Sequence, residues 1–123
     1  MIISIDFDGT IVRERWPDIG SPLPGALAAI RKLHAAGHTI IINSCRAGAA
    51  EDAMRQWLAE HLPGCIDYIN ENDPKRCALY GGDCRKISAD VYIDDKGIFC
   101  DWIYWTEILY EIRKRQLTQR KTE

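Results

Sequence analysis

The sequence predicts an α/β fold in which a parallel sheet is covered by helices on both faces, and three observations carry that reading. The strand candidates are continuous apolar runs rich in isoleucine, such as Ile2, Ile3 and Ile5, then Ile40, Ile41 and Ile42, which suit strands buried on both faces. They alternate with stretches whose apolar residues recur at helical spacing, the order expected of parallel sheets. Three strands also end in polar residues: Asp6 and Asp8, Asn43 and Ser44, Asp94 and Asp95. Open parallel sheets bind ligands beyond the carboxyl ends of their strands. The third observation therefore predicts where chemistry sits.

Each element follows in order. Ile2, Ile3 and Ile5 form a short buried strand, and the chain then passes through Asp6-Phe-Asp-Gly-Thr10. Residues 11–21 hold Arg13, Glu14, Arg15, Trp16, Pro17 and Gly20, and read as a loop or short flap with Trp16 available to shelter a site. Pro24 suits the first turn of a helix. Leu27, Ile30 and Leu33 then fall near helical spacing, and Gly37 is a plausible stop. Residues 39–43 form the second strand. A helix covers residues 49–61, with Ala53, Trp57 and Leu58 on one face and Pro63-Gly64 ending it. Residues 65–69 make a third strand and residues 70–84 a long loop. Residues 89–93 are a fourth strand running into Asp94-Asp95, and a short strand is expected around residues 98–100. In the last helix Trp105, Ile108, Leu109 and Ile112 recur at i, i+3, i+4 and i+7.

The totals narrow the function classes. A chain of 123 residues fits one domain, 1–123. Its apolar and charged contents, 46% and 28%, are ordinary globular values. A net charge of −2 gives no general pull toward nucleic acid or an anionic membrane. The basic residues 113–121 read as a solvated helix end favoured by the helix dipole. No run approaches the ~18 apolar residues of a membrane span, and the start lacks a signal-peptide pattern. A cytoplasmic location is expected. Cys45, Cys65, Cys77, Cys84 and Cys100 are odd in number with no CxxC pair, which speaks for reduced thiols rather than a disulfide framework.

Three or four carboxylates converging on one sheet edge repel one another and raise each other's pKa. A divalent cation relieves that repulsion, and a small hard one prefers oxygen ligands. With Mg²⁺ bound, Asp6 would be ionised and nucleophilic. Lys86 would supply a cation to hold Asp6 and a substrate phosphate together, with Lys75 and Lys96 as rivals. Ser44 offers a hydroxyl at the neighbouring strand end, nearby backbone N–H groups join it, and Gly9 lets the chain turn. This set suits phosphoryl transfer, which is mainly positioning and charge neutralisation. Arg46 reads equally as a substrate contact or as an exposed surface arginine, and so do Arg13 and Arg15.

On these residues the chain resembles the haloacid dehalogenase-like (HAD) phosphohydrolases. Asp6-Phe-Asp-Gly-Thr10 is similar to their DxDGT motif, Ser44 to the second motif, Lys86 to the third, and Asp94-Asp95 to the acidic fourth, in the family's order. The resemblance implies a Rossmann-like three-layer α/β/α sandwich. It implies Asp6 as nucleophile forming an aspartyl phosphate, and Asp8 as general acid and base. Mg²⁺ would be held by the Asp6 carboxylate, the Asp8 backbone carbonyl and Asp94, with Asp95 supporting the metal's waters or Lys86. Ser44 and the N–H of Cys45 would bind the phosphoryl oxygens.

The gaps after the first motif and across residues 46–85 leave no room for a cap domain, so the chain resembles the small capless members. Their open sites accept large substrates or are covered by a neighbouring subunit. The expected function is Mg²⁺-dependent phosphomonoester hydrolysis of a small or larger phosphorylated substrate. A non-catalytic phosphate-binding module and a phosphotransferase are the alternatives. Neither nucleic acid nor membrane is an expected partner. A homo-oligomer stays open, since Trp102, Tyr104 and Trp105 suit an interface as well as a core.

Overall fold

The computed structural model describes residues 1–122, with side chains through residue 119. In chain order the elements are β1 (Ile2–Ile5), β2 (Val12–Arg15), β3 (Asp18–Pro22), α1 (Ala26–Ala35) and β4 (Thr39–Ile42). They continue with α2 (Ala49–His61), β5 (Tyr68–Ile69), α3 (Pro74–Tyr80), β6 (Val91–Ile93) and α4 (Trp105–Thr122). The four-stranded sheet has the order β5-β4-β1-β6 and is parallel throughout. β1 sits inside it, with Ile3 opposite Ile40 on one side and Val91 on the other.

Strand alternation sorts these side chains to two faces. Ile3, Ile5, Ile40, Ile42, Val91 and Ile93 enter the main core with Ala29, Ile30 and Leu33 of α1, Met54 and Leu58 of α2, and Trp105 and Ile112 of α4. Ile2 and Ile41 enter a smaller cluster with Ile87, flanked by Tyr68 and Ala89. Both faces are therefore buried, which is why the strands read as unbroken isoleucine runs. The fold is a Rossmann-like α/β arrangement, a parallel sheet flanked by helices, with no cap domain among the described residues.

Several boundaries moved. Within residues 70–84 lies α3, which buries no residue and so carries no apolar periodicity. Asp73 caps it, its side chain accepting from the Lys75 N–H at 2.8 Å, with Pro74 in the first turn and Gly81 ending it. An Arg76–Asp90 ion pair at 3.1 Å ties α3 to the segment entering β6. The third and fourth strands shrink to residues 68–69 and 91–93. The strand expected at residues 98–100 is instead a turn closed by the Cys100 N–H on the Gly97 carbonyl, and β6 remains an edge strand. On α2, whose bounds match expectation, Met54 and Leu58 are buried while Ala53 faces solvent. Residues 11–21 form a flap, the antiparallel β2–β3 hairpin.

Trp105 is core, whereas Trp102 and Tyr104 are half exposed. The five cysteines are free thiols. Arg113, Lys114 and Arg115 are exposed on α4; the side chains of Arg120 and Lys121, and Glu123, lie outside the described residues. No described helix is long and apolar enough to cross a membrane.

Candidate active site

β1 hands its direction on to the next residues. The Asp6 N–H donates to the Ile93 carbonyl at 2.9 Å, so the period-two alternation continues past Ile5. Phe7 stays in the core, meeting Trp57 edge-on at 5.4 Å, which turns the Asp6 and Asp8 side chains away from it. The chain then closes a turn, with the Thr10 and Ile11 N–H groups both donating to the Phe7 carbonyl. The strand order reverses at β1 and β6, so Asp6 and Asp94 emerge side by side at the topological switch point.

There Asp6, Asp94 and Asp95 each offer a carboxylate oxygen within 4.8 Å of the others. Thr10 binds this group together. Its buried hydroxyl is within hydrogen-bond reach of Asp6 Oδ2 at 3.0 Å and Asp95 Oδ1 at 3.4 Å, and accepts from the Asp95 N–H at 3.2 Å. The Thr10 carbonyl in turn accepts from Trp105 Nε1 at 3.0 Å. Burial, then the neighbouring Asp94 carboxylate, push Asp6 up to about 7, with the Thr10 hydrogen bond opposing them. Three clustered oxygen donors, with Asp6 held against ionisation by burial and the Asp94 charge, fit a hard divalent cation such as Mg²⁺. Asp95, expected to support the metal's waters or Lys86, brings its own carboxylate oxygen into the cluster.

Gly9 makes this closeness feasible. Its φ is +84°, and a Cβ there would collide with the Asp95 carboxylate. Gly9→Ala is expected to cost about 1–3 kcal/mol in strain and to displace Asp95. Thermal unfolding with and without Mg²⁺ checks both, since the metal-induced shift should shrink along with the melting temperature.

Asp8 faces a different partner. Arg46 Nε and Nη2 donate to its two carboxylate oxygens at 2.7 and 2.8 Å. The other guanidinium N–H groups donate to the carbonyls of Pro17 (3.2 Å) and Asp18 (2.9 Å) in the flap, and of Ala50 (3.5 Å) in α2. All five donors of the guanidinium are thus engaged, and the group lies 5.5 Å from the Phe7 ring centroid and 5.1 Å from that of Trp16. Arg46 is only 3% exposed, so neither expectation holds: it is not a surface arginine, and it has no donor left for a substrate. The Asp8 hydrogen bonds and charge raise its already high pKa. Arg13 and Arg15 are exposed on the hairpin.

The β4 end is pinned as well. The Ser44 N–H donates to Asn70 Oδ1 at 2.7 Å, and Ser44 Oγ accepts from the Arg46 N–H at 3.1 Å, which leaves the hydroxyl proton to donate elsewhere. Cys45 is exposed beside it. Lys86 is exposed with its Nζ 4.9 Å from the centroid of the Tyr92 ring. No ion pair among the described residues joins Lys86, Lys75 or Lys96 to Asp6, Asp94 or Asp95. Thr10 lies inside the first motif without a role of its own there, Arg46 has neither of the roles expected of it, and Asn70 is a site-building residue that motif reading misses. Thr10 carries a signal as the last residue of the first motif and Arg46 as the cation two positions after Ser44, while Asn70 carries none.

No protein-family model matches the chain, and comparison with curated proteins finds no match. Among solved structures, it is similar to a conserved protein from Bacteroides thetaiotaomicron, with 32% identity and a TM-score of 0.78 over 94% of this chain and 91% of that one. A D,D-heptose 1,7-bisphosphate phosphatase from B. bronchiseptica, complexed with magnesium and phosphate, overlaps 55% of this chain and 47% of its own at 28% identity. The TM-score of that overlap is 0.42. Near-complete mutual coverage at 32% identity shows that the chain belongs to the family of the conserved Bacteroides thetaiotaomicron protein.

Proposed function

We propose that this chain is a Mg²⁺-dependent phosphomonoester phosphatase working through an aspartyl phosphate on Asp6. The observation that carries this is the cluster of Asp6, Asp94 and Asp95 oxygens within 4.8 Å at adjacent strand ends, with Asp8 two residues away on a fixed mount. The motif resemblance to HAD phosphohydrolases supports it.

Asp6, Asp94 and Asp95 would hold Mg²⁺. When bound, the ion neutralises their charge and that of the phosphoryl oxygens. An Asp6 oxygen attacks phosphorus, and the bond from phosphorus to the alcohol oxygen breaks as that oxygen takes a proton from Asp8, which enters this step protonated, with one oxygen released from the Arg46 fork. Asp8 then removes a proton from water, which attacks the same phosphorus and breaks its bond to Asp6. Phosphate leaves, and both aspartates return to their starting states. The Ser44 hydroxyl and the Cys45 N–H bind the phosphoryl oxygens, and Lys86 adds a positive charge by leaving Tyr92. Arg46 holds Asp8 in place and is a positioning residue. Hydrolysis of a generic aryl phosphate with Mg²⁺, lost with EDTA, tests the reading; purified protein without any such activity refutes it.

The cluster also has a stability signature. Between about pH 4 and 7, metal-free folded protein binds more protons at Asp6 than the unfolded chain does, because its pKa of about 7 exceeds the ordinary 3.8. The stabilising contribution is full below the ordinary value and is lost as pH rises through 7. Allowing for the solvent exposure of the carboxyl, the loss is about 1–2 kcal/mol. Melting in EDTA should fall from pH 5 to pH 8, and Mg²⁺ should restore most of the fall at pH 8. A melting curve indifferent to both would contradict the cluster.

A further inference from the structure

A groove of 540 Å³ opens at Asp94 and runs between β6 and α4, within the size range of small-molecule sites. One end is therefore a candidate metal ligand, and from there the groove follows the open edge of β6 toward α4. Its walls combine aromatic surface from Phe99, Trp102 and Tyr104 with three carboxylates beyond Asp94, those of Asp101, Glu107 and Glu111, against Arg115 and the Lys114 ammonium that pairs with Glu111 at 3.4 Å. Phe99 is 99% exposed, while Trp102 and Tyr104 each keep about half their surface open. None of these three rings is spent on the main core.

The geometry points to this groove as the leaving-group subsite of the phosphatase proposed above, for monoesters with an aromatic or apolar body and no second negative charge. This rests on the phosphatase reading and adds a substrate class to it. Aromatic walls reward an apolar body by burying it. The acidic wall acts by exclusion, since a second phosphate or a carboxylate on the leaving group would lie among Asp101, Glu107 and Glu111, whose charge Arg115 and the Glu111-bound Lys114 offset only in part. Sugar bisphosphates and nucleoside polyphosphates are therefore poor fits.

The test uses three alkyl phosphates that break the same kind of bond: propyl phosphate, 3-phenylpropyl phosphate and 3-(4-carboxyphenyl)propyl phosphate. With Mg²⁺, the phenyl tail should lower KM by about 10-fold relative to propyl phosphate, and the added carboxylate should cancel that gain. Trp102→Ala should bring the KM ratio of the first two compounds toward one. Glu107→Gln with Glu111→Gln should restore part of the gain to the carboxylated compound. Equal KM values for propyl and phenylpropyl phosphate, or a Trp102→Ala effect identical on both, would overturn the subsite while leaving the phosphatase standing. Failure to hydrolyse any of the three, or the aryl phosphate, refutes the phosphatase and the subsite with it. Sedimentation is the second measurement: a dimer dispersed by Phe99→Ser would show the groove to be filled by a second copy, and would also overturn the subsite.

Discussion

Asp6→Asn is expected to lower phosphatase turnover by about a thousand-fold or more while making the metal-free protein more stable at pH 8. An amide is a poor nucleophile, so the covalent route closes. The same change removes a carboxylate that burial and Asp94 hold at a pKa of about 7, and with it the repulsion that opposes folding at that pH. The amide can still accept the Thr10 hydroxyl bond. Opposite signs on activity and stability separate a lost nucleophile from a damaged fold. Turnover with saturating Mg²⁺ and melting in EDTA read the two effects; retained turnover would rule Asp6 out as nucleophile.

The second large effect belongs to Arg46. Arg46→Ala should destabilise the protein by about 3–5 kcal/mol, the usual result of removing one partner from a buried ion pair, and should leave the Pro17, Asp18 and Ala50 carbonyls without their donor. Arg46→Lys is the sharper variant. It keeps the charge but loses the fork that spans two Asp8 oxygens and the flap carbonyls. Because the guanidinium touches no substrate in this account, kcat should fall by about 10- to 100-fold with KM nearly unchanged. Asp8→Asn added to Arg46→Lys should cost little more than Asp8→Asn alone, as expected of residues acting as a unit. Additive losses, or a rise in KM alone, would make Arg46 a substrate contact after all.

The sheet was legible because burial on both faces leaves a simple trace: Ile2, Ile3 and Ile5 beside residues 40–42 admit few other readings. The bounds of α2 were legible for a different reason, the Pro63-Gly64 stop. The misreadings share a cause. α3 buries no side chain, so the only signals were its caps, Asp73-Pro74 and Gly81. Residues 98–100 have strand-prone side chains but find no partner, because strand formation needs a ladder as well as propensity. In the site, Asp6, Asp94 and Asp95 were visible as strand-end carboxylates at the edge where parallel sheets bind ligands. The fuller part played by Asp95 depends on Gly9, whose missing Cβ admits its carboxylate. Arginine is seldom fully buried. Arg46 is buried because Asp8, 38 residues earlier, and three carbonyls from two other elements converge on it, and no local pattern encodes that convergence.

If phosphorus passes through Asp6, the enzyme in turnover carries an acyl phosphate there that can be trapped. Borohydride reduces an acyl phosphate to a primary alcohol and leaves free carboxylates untouched. Enzyme quenched during turnover with Mg²⁺ and an aryl phosphate, reduced and digested, should show the corresponding mass change on the peptide carrying Asp6, at Asp6, and nowhere else. The same treatment of Asp6→Asn should show none. Active enzyme that yields no reduced product, or yields it at Asp8, Asp94 or Asp95, would rule out Asp6 as the residue that carries the phosphoryl group.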